Sequence, residues 1–450
     1  MSEKKPNILI IITDQQNSRM MSCTGNANVN TPALDRLAKN GVRFDQALCT
    51  NPVCVPARFS LFTGLRPSEI KLRCNEDARV ISKVSDAILA NGMGHLLQKA
   101  EYKTFYGGKE HFPTFKAKDI GFTYFTRDER DQLARESAEF LKKEHDQPFL
   151  LVISFINPHD VCYMTINDYR ENKEKQRTGK FKKLLTKLGL DRKRVELRNV
   201  LSLLEETENG KSPAVLPDLP KNHEPQTDEP EGVRSLFKRK FRGYARESWN
   251  ELKWRQHRYI YAKLTEKVDE KIGQVLDALQ TGPNSENTVV IFTSDHGDHD
   301  ASHKLEHKTA QYVEAVEVPF LIKWNHVLPK GRVVKNPISV GLDLLPTVCE
   351  IADIKVAANN RFTGRSILPL IKADIEDTER WIPIECEVGR GIWGQDWAYV
   401  LYDEGTHREQ LYNLKEDPGQ TKNYKELNPD ILEECREKFA KLYAEKPSIS

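Results

Sequence analysis

Residues 7–13, Asn-Ile-Leu-Ile-Ile-Ile-Thr, form a continuous apolar run. A run without alternation predicts a strand covered on both faces, as in a parallel sheet. Residues 149–155 (Phe-Leu-Leu-Val-Ile-Ser-Phe) and 288–293 (Thr-Val-Val-Ile-Phe-Thr) repeat the pattern, and 319–324 gives a shorter fourth strand. Between the second and third strands, Tyr261, Leu264, Val268, Ile272, Val275 and Leu279 recur every three or four residues. That spacing predicts an amphipathic helix near 256–280. Another helix should begin at Thr31-Pro32, capped by Thr31 with Pro32 in its first turn, and end at Gly41. Strands alternating with helices predict an α/β fold: a large, doubly wound, mostly parallel sheet flanked by helices.

Two stretches depart from this pattern. Residues 165–257 are charge-dense, contain Pro213, Pro217, Pro220, Pro225 and Pro230, and show no buried strand. They read as an insertion of helices and loops over the sheet. Within it, residues 234–258 carry nine Lys/Arg against two Asp/Glu, with Phe237, Phe241, Tyr244, Trp249 and Trp254 interspersed. Such a segment is either a solvated helical face or a basic wall for a polyanionic substrate. After about residue 375 the period shortens. Residues 397–402 and 409–414 predict short antiparallel strands, followed by a helix over 429–445. The expected division is a catalytic α/β domain over 1–375 and a C-terminal subdomain over 376–450.

Composition narrows the class. A chain of 450 residues exceeds what one core usually supports, so two structural units are expected. The hydrophobic fraction is 38% and the charged fraction 30%, as in a globular protein with a polar surface. A net charge of +2 argues against a strongly basic nucleic-acid binder. No apolar run approaches the ~20 residues that span a bilayer. The start, Met-Ser-Glu-Lys-Lys-Pro, leads straight into the first strand and does not read as a signal peptide. A cytoplasmic location is therefore expected, or a periplasmic or secreted one if a leader has been removed. Eight cysteines at irregular spacings, with no CxxC, read mostly as buried free thiols.

The candidate chemistry sits where the strands end. Ligand sites of open α/β sheets form beyond the carboxyl ends of the strands. Asp14 follows the first strand, His159 the second, and Asp295-His296 the third, while Lys109 and His111 close the segment 102–111. Asp14 and Asp295 are hard oxygen ligands for a divalent cation, and His296 would add an imidazole. Residues 51–64, Asn-Pro-Val-Cys-Val-Pro-Ala-Arg-Phe-Ser-Leu-Phe-Thr-Gly, supply a possible nucleophile. Pro56 suits a first helical turn and Gly64 a left-handed helix end. Cys54 should then lie at a helix N-terminus, which favours an anion, with Arg58 one turn on pointing back toward it.

The Cys54-x-Pro56-x-Arg58 pentad resembles the modification signature of type I sulfatases, the formylglycine-dependent family of the alkaline phosphatase superfamily. The resemblance recurs from Pro6 to Asn423 and includes the phrase Leu411–Gly419. It implies a C-terminal α+β subdomain built on a four-stranded antiparallel sheet beside a helix. It implies that Cys54 is oxidised to Cα-formylglycine, whose hydrate is the nucleophile. It also implies a metal site of Asp14, Gln15, Asp295, His296 and the modified Cys54. The family often has a second acid where this chain has Gln15, which can still ligate through its amide oxygen. Calcium is the first choice of ion, with manganese or magnesium as alternatives.

By the same resemblance Lys109 and His111 hydrogen-bond the formylglycine hydrate. His159 and Lys308 contact the sulfate group, and His303 matches another frequent histidine. His299 and His307 are extra, expected at exposed positions or behind the ligands, and His223 and His257 gain no support. The implied reaction is sulfuric ester hydrolysis. The metal, Arg58, Lys109 and Lys308 neutralise the ester's oxygens while a hydrate hydroxyl attacks sulfur in line. His159 or Lys308 then protonates the leaving alkoxide, and His111 deprotonates the second hydroxyl so that the aldehyde re-forms and sulfate departs.

A sulfated carbohydrate is the expected substrate, through the basic insertion and the loop Lys71–Arg79. The alternatives are a phosphonate or phosphate ester hydrolase of the same superfamily, and a non-catalytic anion- or glycan-binding protein. The implied protein partner is a formylglycine-generating enzyme or an anaerobic maturase. Neither nucleic acid nor membrane is expected as a partner.

Overall fold

The computed structural model describes residues 5–77, 81, 83–176, 195–208, 215–238, 240–355, 363–372, 377 and 379–444. The expected strands form, with edges shifted by a few residues. The main sheet contains β1 (Asn7–Asp14), β2 (Val42–Phe44), β4 (Lys103–Gly108), β5 (Thr123–Thr126), β6 (Phe149–Pro158), β7 (Thr288–Ser294), β8 (Phe320–Lys323) and β9 (Arg332–Val334). Their order is β5-β4-β6-β1-β7-β8-β2-β9. β5, β4, β6, β1 and β7 run parallel, and β8 is antiparallel to both its neighbours. A two-stranded sheet pairs β3 (Ala47–Leu48) with β10 (Ile338–Ser339).

The lack of alternation in β1 has its reason in the layers. Ile8, Ile10 and Ile12 face a core containing Val55, Phe59 and Phe62 of helix α2 (Cys54–Thr63). Leu9 and Ile11 face Leu34 of helix α1 (Pro32–Lys39), on the opposite side of the sheet. Both faces are covered, so the β1 side chains from Ile8 to Ile12 are all apolar before the chain emerges through Thr13 to Asp14. The register pairs Thr13 with Ser294, Asp14 with Pro158 and Gly108 with Ser154. It therefore brings the ends of β4, β6, β1 and β7 side by side.

The insertion contributes α3 (Cys162–Gln176), α4 (Val195–Glu208), α5 (Glu231–Phe237) and α6 (Lys240–Ser248). Residues 177–194 and 209–214, with Pro213, lie outside the described residues. Helix α7 (Glu251–Thr281) follows and is longer than the apolar spacing predicts. Its start is set by Asn250, whose side chain accepts from the Lys253 N–H. The first turns of α7 pack into the insertion core of Met164, Val200, Leu203, Trp249 and Trp254, while Val268, Ile272 and Val275 cover the sheet.

The C-terminal unit is the four-stranded antiparallel sheet β11 (Ile382–Cys386), β12 (Gly389–Trp393), β13 (Trp397–Tyr402) and β14 (Glu409–Asn413). Helix α8 (Pro429–Tyr443) packs on it through Cys435 and Phe439. All eight cysteines are free thiols, and all but Cys23 are buried. Among the described residues, no helix is long and apolar enough to cross a membrane.

Two local expectations change. Thr31 does not cap α1 through its side chain. The α1 amides of Ala33 and Leu34 instead donate to the two oxygens of Asp269 on α7, each at 2.9 Å. A charged acceptor for two orphan donors is stronger than one hydroxyl. Gly41 lies past the end of α1 because a Cβ there would stand 2.4 Å from the Ile322 carbonyl, not because of a left-handed turn.

The Asp269 bridge makes a tertiary contact the start signal of α1. Asp269→Ala should destabilise the fold by about 1–3 kcal/mol, since it removes both acceptors from buried amides. Urea unfolding of the variant checks this, and an unchanged midpoint would show the amides find other partners.

Candidate active site

Helix α2 begins at Cys54 and ends at Gly64, which takes a left-handed conformation (φ 67°). All ten of its side chains are buried, so its position and rotation are fixed on every side. Cys54 thereby points at the ends of β1 and β7. Its Sγ lies 3.2 Å from His296 Nε2, 2.9 Å from Lys308 Nζ and 3.8 Å from Asp14 Oδ1. Burial and Asp14 push the Cys54 thiol up, but Lys308, Lys109 and His296 outweigh them and hold it well below its ordinary value.

Arg58 holds the carboxylates. Its Nε donates to Asp295 Oδ2 at 2.8 Å and its Nη2 to Asp14 Oδ2 at 3.1 Å. Its Nη1 donates to the Lys109 carbonyl (2.9 Å) and to Ser154 Oγ (2.8 Å). Arg58 and both aspartates are fully buried. The guanidinium thus clamps the ends of β1, β7, β4 and β6 together. Its donors are thus turned to protein acceptors, so any charge it supplies to a substrate acts without a direct hydrogen bond.

Lys109 Nζ stands 2.6 Å from Asp14 Oδ2. Burial pushes Asp14 up, yet Lys109, His159, Lys308 and Arg58 outweigh it and keep this carboxyl well below the usual range. Lys308 Nζ bonds Gln15 Oε1 at 2.9 Å and lies 3.1 Å from His296 Nε2. His159, at the end of β6, is partly exposed, with a buried Nδ1 that has no partner. Burial and Lys109 outweigh Asp14 and hold its imidazole well below the ordinary value, so it is neutral at pH 7.

The structure leaves other expected residues outside this cluster. His111 is exposed and makes no hydrogen bond with the cluster. The chain turns at Gly108 (φ 90°) and again at His111 (φ 45°), and Glu110 is held by the Ala117 N–H. His303 is buried, stacked on Tyr312 at 3.9 Å and 19°, with its amide on the Asn222 carbonyl. It braces the loop that carries Lys308, and the structure gives it no contact with Cys54. His299 and His307 are also buried, not exposed. In the 71–79 loop, Ala78 and Arg79 lie outside the described residues. Arg73 there pairs with Asp403 at 2.7 Å and bonds the Cys386 carbonyl, which ties the loop to the C-terminal sheet.

Three contributors escaped the sequence reading. Asp298 accepts from Gln15 Nε2 at 2.6 Å and from the Asp300 N–H at 2.8 Å. Burial pushes its carboxyl up to about 7. By holding the amide nitrogen it leaves Gln15 Oε1 turned to Lys308. Tyr261 of α7 donates to the Gln15 carbonyl (2.6 Å) and accepts from the Asn17 N–H (2.9 Å), pinning a residue with φ 70°. Ser154 receives Arg58. The signal for Asp298 was present as another acid in the run 295–298, whereas Tyr261 reads from sequence only as an apolar helix position.

The donors suit a divalent cation. Ligand atoms of Asp14, Cys54, Asp295 and His296 all lie within 4.8 Å of one another. The Gly297 carbonyl can only accept, so His296 Nδ1 donates to it at 2.8 Å. That leaves Nε2 facing Cys54, where a bound cation would take its lone pair in place of a proton. Carboxylate and amide oxygens with one imidazole form a set for a hard or borderline ion.

The family model described as Sulfatase matches residues 6–354. Delta 4,5-hexuronate-2-O-sulfatase of Bacteroides thetaiotaomicron is 25% identical over 448 residues, covering 94% of this chain and 85% of that protein. N-acetylglucosamine-6-O-sulfatase of the same organism is 24% identical over 482 residues, covering 93% of this chain and 82% of that protein. Among solved structures, a 2-O GAG sulfatase superposes with a TM-score of 0.79 at 25% identity, covering 98% of this chain and 92% of that one.

The clamp geometry predicts a large penalty for breaking it. Arg58→Met should destabilise the protein by about 3–5 kcal/mol, because two buried carboxylates lose their shared counter-charge. Arg58→Lys should recover only part, since one ammonium cannot span both aspartates and the Lys109 carbonyl. Urea midpoints of the two variants measure this, and equal stability of Arg58→Met and the unaltered protein would contradict the clamp.

Proposed function

The chain belongs to the sulfatase family, and we propose that it cleaves the sulfate ester of a sulfated carbohydrate through an aldehyde made from Cys54. The observation that carries this reading is the convergence at Cys54. A buried cysteine at a helix N-terminus meets two carboxylates, an imidazole and two lysines from the ends of β1, β7 and β4 and from the loop after β7. A structural thiol has no use for such surroundings.

The proposed maturation is oxidation of Cys54 to Cα-formylglycine by a formylglycine-generating enzyme or an anaerobic maturase, and the hydrated aldehyde offers a hydroxyl to attack sulfur. In the unmodified chain, Cys54 Sγ stands in for that oxygen. Asp14, Gln15, Asp295 and His296 would hold one divalent cation, calcium first, with manganese or magnesium as alternatives. When bound, that ion supplies concentrated positive charge beside the ester's anionic oxygens.

The chain's own residues do the rest. Lys308 and Lys109 are preorganised ammoniums, so no solvent has to reorganise as charge shifts toward the leaving oxygen. His159, at the rim, would hydrogen-bond the leaving oxygen and would act as its acid only in its protonated form. Lys308 is the second candidate for that proton. His111 remains a proposed contact to the hydrate from the exposed side. The relatives' named substrates, a hexuronate 2-O-sulfate and an N-acetylglucosamine 6-O-sulfate, favour an acidic saccharide as the substrate. The same reading treats 1–375 as the catalytic unit, carrying the insertion 165–257, and 376–450 as a C-terminal subdomain.

Co-expression with a maturase and mass analysis of the tryptic peptide Phe44–Arg58 should show an aldehyde at Cys54 and an intact thiol at Cys49. That protein should release sulfate from sulfated saccharides faster than phosphate or a phosphonate product from matched esters. Faster phosphonate cleavage would overturn the sulfatase assignment. An unmodified Cys54, under conditions that convert a known sulfatase, would point to a binding protein.

The Gln15 support gives a separate expectation. Asp298→Ala should weaken calcium binding about 10–100-fold, as for other residues that orient a ligand. Isothermal titration calorimetry with calcium alone reads this without any turnover.

A further inference from the structure

The insertion's positive charge is largely spent inside the protein. Arg246 makes two bonds of 2.9 Å to Glu229, and Lys253 pairs with Asp168 at 3.0 Å. Arg255 bonds the carbonyls of Leu216 and Pro217, and Arg258 holds Asp300 at 3.1 Å. Arg234 donates to Thr406 Oγ1 at 3.1 Å. The aromatic residues are spent as well. Phe237, Trp249 and Trp254 are buried, and the two tryptophans pack against each other at 4.9 Å and around His257. Most of this segment is therefore neither a solvated face nor a free basic wall.

Arg242 on α6 is different. It is half-buried and has no hydrogen bond or ion pair among the described residues. The ring of its neighbour Phe241 lies 5.1 Å from the ring of His307, tilted by 36°. His307 is only 4% exposed. Its Nδ1 lies against the Glu306 carboxylate without a hydrogen bond, and both of its ring nitrogens are buried without a partner. His307 directly precedes Lys308, whose ammonium lies 2.9 Å from Cys54 Sγ. Buried polar atoms left unpaired cost free energy and are rare unless something completes them. Those of His307 adjoin Lys308, one of the residues proposed to hold the scissile sulfate.

We propose that Arg242 and His307 form a second recognition subsite, taking a further anionic group, a carboxylate or a second sulfate, on the saccharide that carries the scissile ester. The guanidinium fork matches either oxyanion in a bidentate manner. The ring nitrogens of His307, which have no partner, would bond a sugar hydroxyl beside that group. The proposal rests on the sulfatase reading. It goes beyond it by assigning specificity to this chain's insertion, through one arginine with no hydrogen bond or ion pair among the described residues.

The test compares the unaltered, matured protein with Arg242→Gln and Arg242→Lys on three probes. A 2-O-sulfated unsaturated hexuronate disaccharide offers a carboxylate. A 2-N,6-O-disulfated glucosamine offers a second sulfate. N-acetylglucosamine 6-sulfate offers neither. Binding is read by calorimetry and turnover by sulfate release. Arg242→Gln should weaken binding and raise KM about 10–100-fold for whichever dianionic probe the unaltered protein prefers. N-acetylglucosamine 6-sulfate should change less than about threefold, and Arg242→Lys should recover part of the loss. The preferred probe decides between carboxylate and sulfate. Equal losses on all three probes, or none, would overturn the subsite. Absence of turnover on every probe, with binding intact, would count against the sulfatase reading, and calorimetry alone would then judge Arg242. Failure of the unaltered protein to bind either dianionic probe would also overturn the subsite.

Discussion

The structure turns on one buried guanidinium. Asp14 and Asp295 emerge from neighbouring parallel strands, and two carboxylates so placed repel each other in a medium that screens poorly. Arg58 resolves this by bonding both, and its remaining donors capture the Lys109 carbonyl and Ser154. Four strand ends are thus fastened at one point. The same residue is anchored in α2, so the clamp also sets where Cys54 must sit. Removing the arginine would disturb the sheet's end, the helix and the thiol together, because one planar group satisfies all three.

Around this clamp the chain accepts backbone strain where it carries chemistry. Gln15 has φ 70°, and the loop after β7 holds Asp300, Ala301, His303, Lys304, His307 and Thr309 at positive φ. Non-glycine residues take that conformation at a cost, which surrounding contacts must offset. Tyr261 pins Gln15 from both sides. Arg258 holds Asp300, Lys304 pairs with Glu224, and Tyr312 stacks on His303. Most of these partners come from the insertion or from α7. The insertion thus supports the loop that delivers Lys308, and its buried aromatic residues belong to that support.

Much of the site was legible because strand ends are legible. Unbroken apolar runs mark the central strands, and the first polar residue after each is where the chain meets the cavity. Asp14, Lys109, His159 and Asp295 were found this way, and Cys54 through the turn residues Pro56 and Gly64. His303 and Arg58 show where that logic stops. Sequence spacing placed both near the chemistry, yet His303 is committed to Tyr312 and Arg58 to two aspartates. Which acceptors Arg58 finds depends on residues 44 to 237 positions away in the chain.

The sequence alone determined the period of each element, and with it the parallel sheet, the long amphipathic helix and the small antiparallel unit. It determined the nucleophile candidate as well, because a cysteine, a proline and an arginine at fixed spacing on one helix keep their relation in any fold that contains that helix. Only the tertiary structure decided how charges were spent. It assigned Arg58 to the carboxylates, Asp298 to Gln15, Asp269 to the start of α1 and most of the insertion's arginines to internal partners, leaving Arg242 unpaired beside His307. The reason is physical. Hydrophobic periodicity is local and repeats along the chain, whereas hydrogen bonds and ion pairs are short-ranged in space and indifferent to separation in sequence.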